Sequence, residues 1–156
     1  MTTITMLING EAVQAQGGAT FTRSNPLDGQ VATTAPAASV QDAIAAVEAA
    51  AVAFPAWSAT SPGERRALLL KAAHLLEAKA AEFAAAMAAE VGASGIWAGF
   101  NVHLAADMLV EAASLTTQIN GQVIPSNMPG SLAMATRQAA GVVLGMAPWN
   151  APVILG

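Results

Sequence analysis

The chain's 156 residues suffice for one domain with its own core, and 54% are hydrophobic while only 10% are charged, far below the quarter usual in soluble domains. Ten acidic against six basic residues give a net charge of -4 and no basic cluster able to neutralise a row of phosphates, which excludes nucleic acid as a partner. The absence of cysteine excludes a disulfide framework, a thiolate metal site and a cysteine nucleophile within this stretch.

The opening MTTITMLINGEAVQ has neither the basic start nor the unbroken apolar core of a signal peptide, so it reads as mature, cytoplasmic protein. Met6, Leu7 and Ile8 precede Asn9-Gly10, and Glu11, Ala12 and Val13 follow. That is a hairpin closed by a two-residue turn. A second hairpin is predicted where Phe21-Thr22-Arg23 and Val31-Ala32-Thr33-Thr34 flank Asn25-Pro26-Leu27-Asp28-Gly29, because proline fixes one turn dihedral and glycine permits another.

Ser39 with Asp42 three residues on heads a predicted helix over residues 40–54, with Pro55 as its stop. Ser61-Pro62-Gly63-Glu64 repeats the start signal for one long helix running to about Val91. Leu69, Ala72, Leu76, Ala80, Phe83 and Met87 recur at helical spacing and predict its core stripe. Gly92 serves as a stop, and a further helix is expected over residues 94–117, ended by Asn120-Gly121.

Beyond Gly121 come Pro125, Pro129 and Gly130, then an extended segment over residues 131–137. Gly141-Val142-Val143-Leu144-Gly145-Met146 reads as a strand of a parallel sheet, buried on both faces. Residues 139–156 are apolar but fall short of the ~20 residues of a membrane-spanning helix and contain two prolines, which excludes a span.

Three groups of residues have chemical potential. His103, Asp107, Glu111 and Ser114 share one helix face; their types suit metal ligation, but the same spacing marks a solvated face, which is the preferred reading. Trp97, Phe100, Leu104 and Met108 occupy another face, suited either to core packing or to the wall of an apolar pocket. Pro148-Trp149-Asn150 sits just after the expected parallel strand, where α/β sheets place ligands. An asparagine amide there can donate to a developing oxyanion. No GxGxxG accompanies it, so the pattern alone does not establish dinucleotide binding.

The run Gly141-Val-Val-Leu-Gly-Met-Ala-Pro-Trp-Asn-Ala-Pro, with Arg137 before it and Glu90-Val91-Gly92 after a long helix, resembles the N-terminal half of NAD(P)-dependent aldehyde dehydrogenases. Trp97-Ala-Gly-Phe-Asn-Val-His, Gln122-Val-Ile-Pro-Ser and the Asn150 segment look most similar to the aromatic-aldehyde branch, typified by salicylaldehyde and vanillin dehydrogenases. The likeness covers essentially the whole chain and implies an N-terminal piece of an α/β enzyme. It implies hairpins and helices of a cofactor-binding domain over residues 1–121, an oligomerisation-type arm over 122–140, and the first strand region of a Rossmann-like cofactor and catalytic segment over 141–156.

In such enzymes a cysteine thiolate attacks the aldehyde, hydride passes to NAD or NADP, and a glutamate activates water against the thioester. Carried onto this sequence, Asn150 is the side-chain donor to the thiohemiacetal oxyanion. Met146, Ala147, Pro148 and Trp149, with Asn150, stand beside the nicotinamide. Trp97, Phe100, Leu104, Ala151 and Leu155 line a tunnel for an aromatic aldehyde. The resemblance also implies a homo-oligomer, no metal, and no activity for this stretch alone. The alternative is a self-contained, non-catalytic helical interaction module, which the low charge and high alanine content would suit.

Overall fold

A computed structural model describes residues 2–156. Four helices dominate, preceded by short strands and followed by a largely extended segment. Strands β2 (Met6–Ile8) and β3 (Glu11–Val13) pair antiparallel. Asn9 and Gly10 between them both have positive φ, 54° and 78°, the type I′ geometry that the Asn-Gly pair favours. Strands β4 (Thr20–Ser24) and β5 (Val31–Pro36) form the second expected hairpin. A strand without a sequence signal, β1 (Thr2–Thr3), adds parallel to β5, giving the order β1-β5-β4.

Helix α1 (Val40–Ser58) begins at Ser39, whose hydroxyl accepts from Asp42 N while the Asp42 carboxylate takes the Ser39 backbone N–H. Pro55 lies inside this helix instead of ending it. The ring removes the hydrogen bond from its own nitrogen, but Pro55 still accepts from Ala59 N at 3.3 Å and from Ser58 Oγ at 2.9 Å, which carries the helix through one more turn.

The long helix expected after Ser61 is two, α2 (Pro62–Ala78) and α3 (Ala80–Val91), with Lys79 between them at φ -99°, ψ 12°. A single helix of that length would run about 45 Å straight, whereas both halves here pack on α4 (Gly95–Leu115). Tertiary packing therefore overrides a locally uninterrupted propensity. The stripe divides with the helix: Met87 is buried, Leu69, Leu76, Ala80 and Phe83 are half-buried, and Ala72 is exposed while its neighbour Ala73 is buried.

Gly92 ends α3 in the left-handed region at φ 67°, with Gly92 N bonded to Ala88 O and Ala93 N to Met87 O. A Cβ at this position would sit 2.9 Å from Pro26 Cγ. The glycine thus also lets the β4–β5 turn approach the helix. Helix α4 supplies more buried residues than any other element, through Ala98, Asn101, Val102, Ala105, Ala106 and Ala113. Small side chains on this face let α2 come close, as ridge-into-groove packing requires.

After a 3₁₀ turn at Thr116–Gln118, β6 (Gln122–Ile124) and β7 (Ala133–Ala135) form an antiparallel pair. Residues 141–146 take no strand ladder among the described residues, contrary to the expected buried strand, and Val143, Leu144 and Met146 are 79%, 82% and 86% exposed. A parallel strand is completed only by neighbours at hydrogen-bonding distance, and no strand among the described residues pairs with this run.

Candidate functional site

The turn that carries Asn150 folds back from the exposed 141–146 segment onto the helices. Trp149 and Asn150 form the turn, and irregular turns follow through residues 151–154, with one backbone bond from Leu155 N to Ala151 O at 3.1 Å. Pro148 and Pro152 bring no N–H of their own, so the chain here has few internal hydrogen bonds to spend. Ala151 is buried, Pro152 to Ile154 are half-buried, and Met146, Ala147, Pro148, Trp149, Asn150 and Leu155 are exposed.

Two of the separately predicted groups meet here. Trp97 Nε1 donates to the Asn150 carbonyl oxygen at 3.3 Å, and the Trp97 ring stacks on Phe100 with centroids 5.5 Å apart. Both rings remain substantially exposed, so this face of α4 is not closed core in this stretch. Leu104, one turn further on, is half-buried. Ala151 is covered by the chain itself, so enlarging it would act on the turn as well as on any space beyond.

Hollows flank the turn on either side of Pro152 and Val153. One, of about 370 Å³, lies between Phe83, Met87 and Glu90 of α3, Arg23 of β4, and Ala147, Pro148 and Trp149. The other, of about 450 Å³, lies between Leu76, Phe83, Ala105 and Met108 and the last residues of the chain. None of Trp97, Phe100, Leu104, Ala151 or Leu155 lines either hollow, and neither do Met146 and Asn150.

The charged edge of the first hollow was not legible as a site. Glu90 Oε1 accepts from the hydroxyl of buried Thr33 at 2.6 Å, and its Oε2 lies 3.8 Å from Arg23 Nε. These partners are 57 residues apart for Thr33 and Glu90, and no local periodicity links them. Asn101 is a second feature without a functional signature in the sequence: it is fully buried, its Nδ2 donates to Trp97 O at 3.0 Å, and its Oδ1 has no partner among the described residues. A polar residue on an otherwise apolar helical face was the available signal. His103, Asp107, Glu111 and Ser114 are all exposed, and Ser114 Oγ donates to Glu111 O at 2.7 Å. The solvated reading of that face holds.

A sequence model described as the aldehyde dehydrogenase family matches residues 12–156. The chain belongs to the aldehyde dehydrogenase family. It is 61% identical over 153 residues to a vanillin dehydrogenase of Pseudomonas sp. (strain HR199 / DSM 7063), covering 98% of this chain and 32% of that protein. A crystal structure of a salicylaldehyde dehydrogenase from Pseudomonas putida G7 complexed with salicylaldehyde superposes with a TM-score of 0.95 at 44% identity, over 99% of this chain and 32% of that one. An NAD-dependent benzaldehyde dehydrogenase from Corynebacterium glutamicum superposes with a TM-score of 0.90 at 36% identity, over 96% and 32% respectively. The chain thus spans about a third of the length of these aldehyde dehydrogenases. No helix among the described residues is long and apolar enough to cross a membrane.

Proposed function

We propose that this stretch is the N-terminal third of an NAD(P)-dependent enzyme that oxidises an aromatic aldehyde to its carboxylic acid. The observation that carries the reading is the junction of the Trp97–Phe100 aromatic pair with the Asn150 turn, in a chain 61% identical to a vanillin dehydrogenase. Stacked, partly exposed rings offer a flat apolar wall to an aromatic substrate. With no cysteine in these 156 residues, the nucleophile belongs to sequence outside them.

In this reading the exposed Asn150 side chain donates to the oxyanion that forms when the carbonyl is attacked. Met146, Ala147, Pro148 and Trp149 present an exposed surface without a charged side chain, which suits the planar nicotinamide end of a cofactor and not its phosphates. The cofactor, when bound, supplies a hydride acceptor. Phe100, Leu104 and Leu155 complete the apolar approach, with Ala151 keeping the turn compact. The exposed β6–β7 pair, carrying Val123 and Met134 outward, is the arm through which subunits associate, since an uncovered strand edge invites pairing.

The test is made in the complete enzyme. Asn150→Ala should lower kcat for vanillin, salicylaldehyde or benzaldehyde by roughly a hundredfold to a thousandfold, the range for losing one oxyanion donor, with cofactor affinity little changed. Asn150→Ser should fold normally and still turn over slowly, since its shorter side chain falls short of the oxyanion. Wild-type kcat in either variant would remove Asn150 from catalysis. Absence of dehydrogenase activity in the complete wild-type protein would leave the helical-module reading in its place.

A further inference from the structure

Helix α4 and the Asn150 turn are joined across 53 residues by the hydrogen bond from the Trp97 indole to the Asn150 carbonyl. Trp97 is itself held on three sides. Its backbone N–H donates to the Ser94 hydroxyl at 3.3 Å, its carbonyl accepts from Asn101 Nδ2 at 3.0 Å, and its ring stacks on Phe100. Burying Asn101 with Oδ1 unpartnered costs stability, and what that burial secures is the Trp97 carbonyl. The donor thus stands on a backbone bonded at both its N–H and its carbonyl and on a stacked ring, while the turn it reaches, between two prolines, has few bonds of its own.

The oxygen of Asn150 lies in the peptide plane whose rotation is the ψ angle of Asn150. Holding that oxygen limits the rotation and with it the frame from which the Asn150 side chain projects. We propose that Trp97 is a positioning residue whose indole N–H orients the Asn150 amide, a task separate from its place in the aromatic wall. The proposal rests on the reading of Asn150 as the oxyanion donor. A donor of that kind must be placed within about half an ångström, and a displacement of about 1 Å can cost on the order of a hundredfold.

Trp97→Phe in the complete enzyme keeps a smaller ring against Phe100 and removes the N–H together with the rest of the five-membered ring. The expected result is a fall in kcat of about tenfold for short aliphatic as well as aromatic aldehydes, with any rise in KM confined to the aromatic ones. Combined with Asn150→Ala, it should add little further loss, because both changes act through one donor. Unchanged kcat, a loss confined to the KM of aromatic aldehydes, or fully multiplicative losses would each overturn the proposal.

Amide hydrogen exchange over residues 149–155 provides a readout independent of turnover. Faster exchange in Trp97→Phe supports the anchoring even if Asn150→Ala retains kcat, in which case it is the oxyanion reading that fails. Unchanged exchange there overturns the anchoring whatever the kinetics.

Discussion

Helix α4 and the segment after Gly121 are both rich in apolar residues, yet they end in opposite situations. In α4, Val102 and Asn101 are fully buried and alanines pack around them. Between residues 121 and 150 every residue except Ala133 and Gly141 is exposed, including Val143, Leu144 and Met146. The difference lies in where the hydrogen bonds go. A helix closes its ladder within its own segment, so α2, α3 and α4 need only a compatible face to meet one another. A parallel strand must borrow its partners from elsewhere in the sequence, and residues 141–146 have none among the described residues.

Amide exchange should show this contrast most strongly. In the isolated chain, amides of α4 around residues 102–106 should exchange at least about a thousandfold more slowly than those of residues 142–146, the spread expected between packed helix and unladdered backbone. Comparable rates in the two regions would mean either that the helices are not packed or that the apolar run finds a partner in solution. The second explanation would be accompanied by sedimentation of the chain as an oligomer.

A pair of matched truncations sharpens the same comparison. Val102→Ala removes methyl groups from a fully buried site and should cost about 2 kcal/mol, seen as a roughly thirtyfold loss of protection along α4. Val143→Ala removes the same atoms from an exposed site and should stay within about 0.5 kcal/mol. In the complete enzyme the two costs should converge if sequence outside this stretch covers Val143. A large cost for Val143→Ala in the isolated chain would contradict the exposure seen here.

The same division explains how much could be read beforehand. Elements whose information is local were legible: the Asn9-Gly10 hairpin, the hairpin around residues 25–29, both capping boxes, and the Gly92 stop. Features decided by distant partners were not. The break at Lys79 follows from packing on α4, and the Thr33–Glu90–Arg23 cluster depends on a hairpin meeting a helix. The Asn150 turn was singled out by its own prolines and by resemblance, and the Trp97 face by its spacing. Their meeting through one indole hydrogen bond had no sequence signature.

The smallest expected effect concerns the local devices themselves. Asp42 accepts the backbone N–H and the hydroxyl of Ser39, and the backbone N–H of Gln16; these bonds hold its carboxyl below the usual aspartate value. Glu64 is lowered in the same way by the Ser61 hydroxyl and backbone N–H. Because both pKa values are depressed in the folded chain, the stabilisation is present above the unfolded carboxylate pKa and is lost as pH falls through the folded one. Ser39→Ala should lower Tm by roughly 2–4 °C at pH 7, the usual cost of a lost cap in a chain of this size. That gap should narrow as pH falls below the unfolded aspartate pKa and through the lower folded one, where the wild-type carboxylate also gives up its charge-assisted bonds. Exchange over residues 142–146 should respond to neither change. A gap that stays unchanged down to the acid limit of folding would mean that the bond from the Ser39 hydroxyl to the carboxylate adds nothing to the cap, the hydroxyl acting only by accepting the Asp42 N–H.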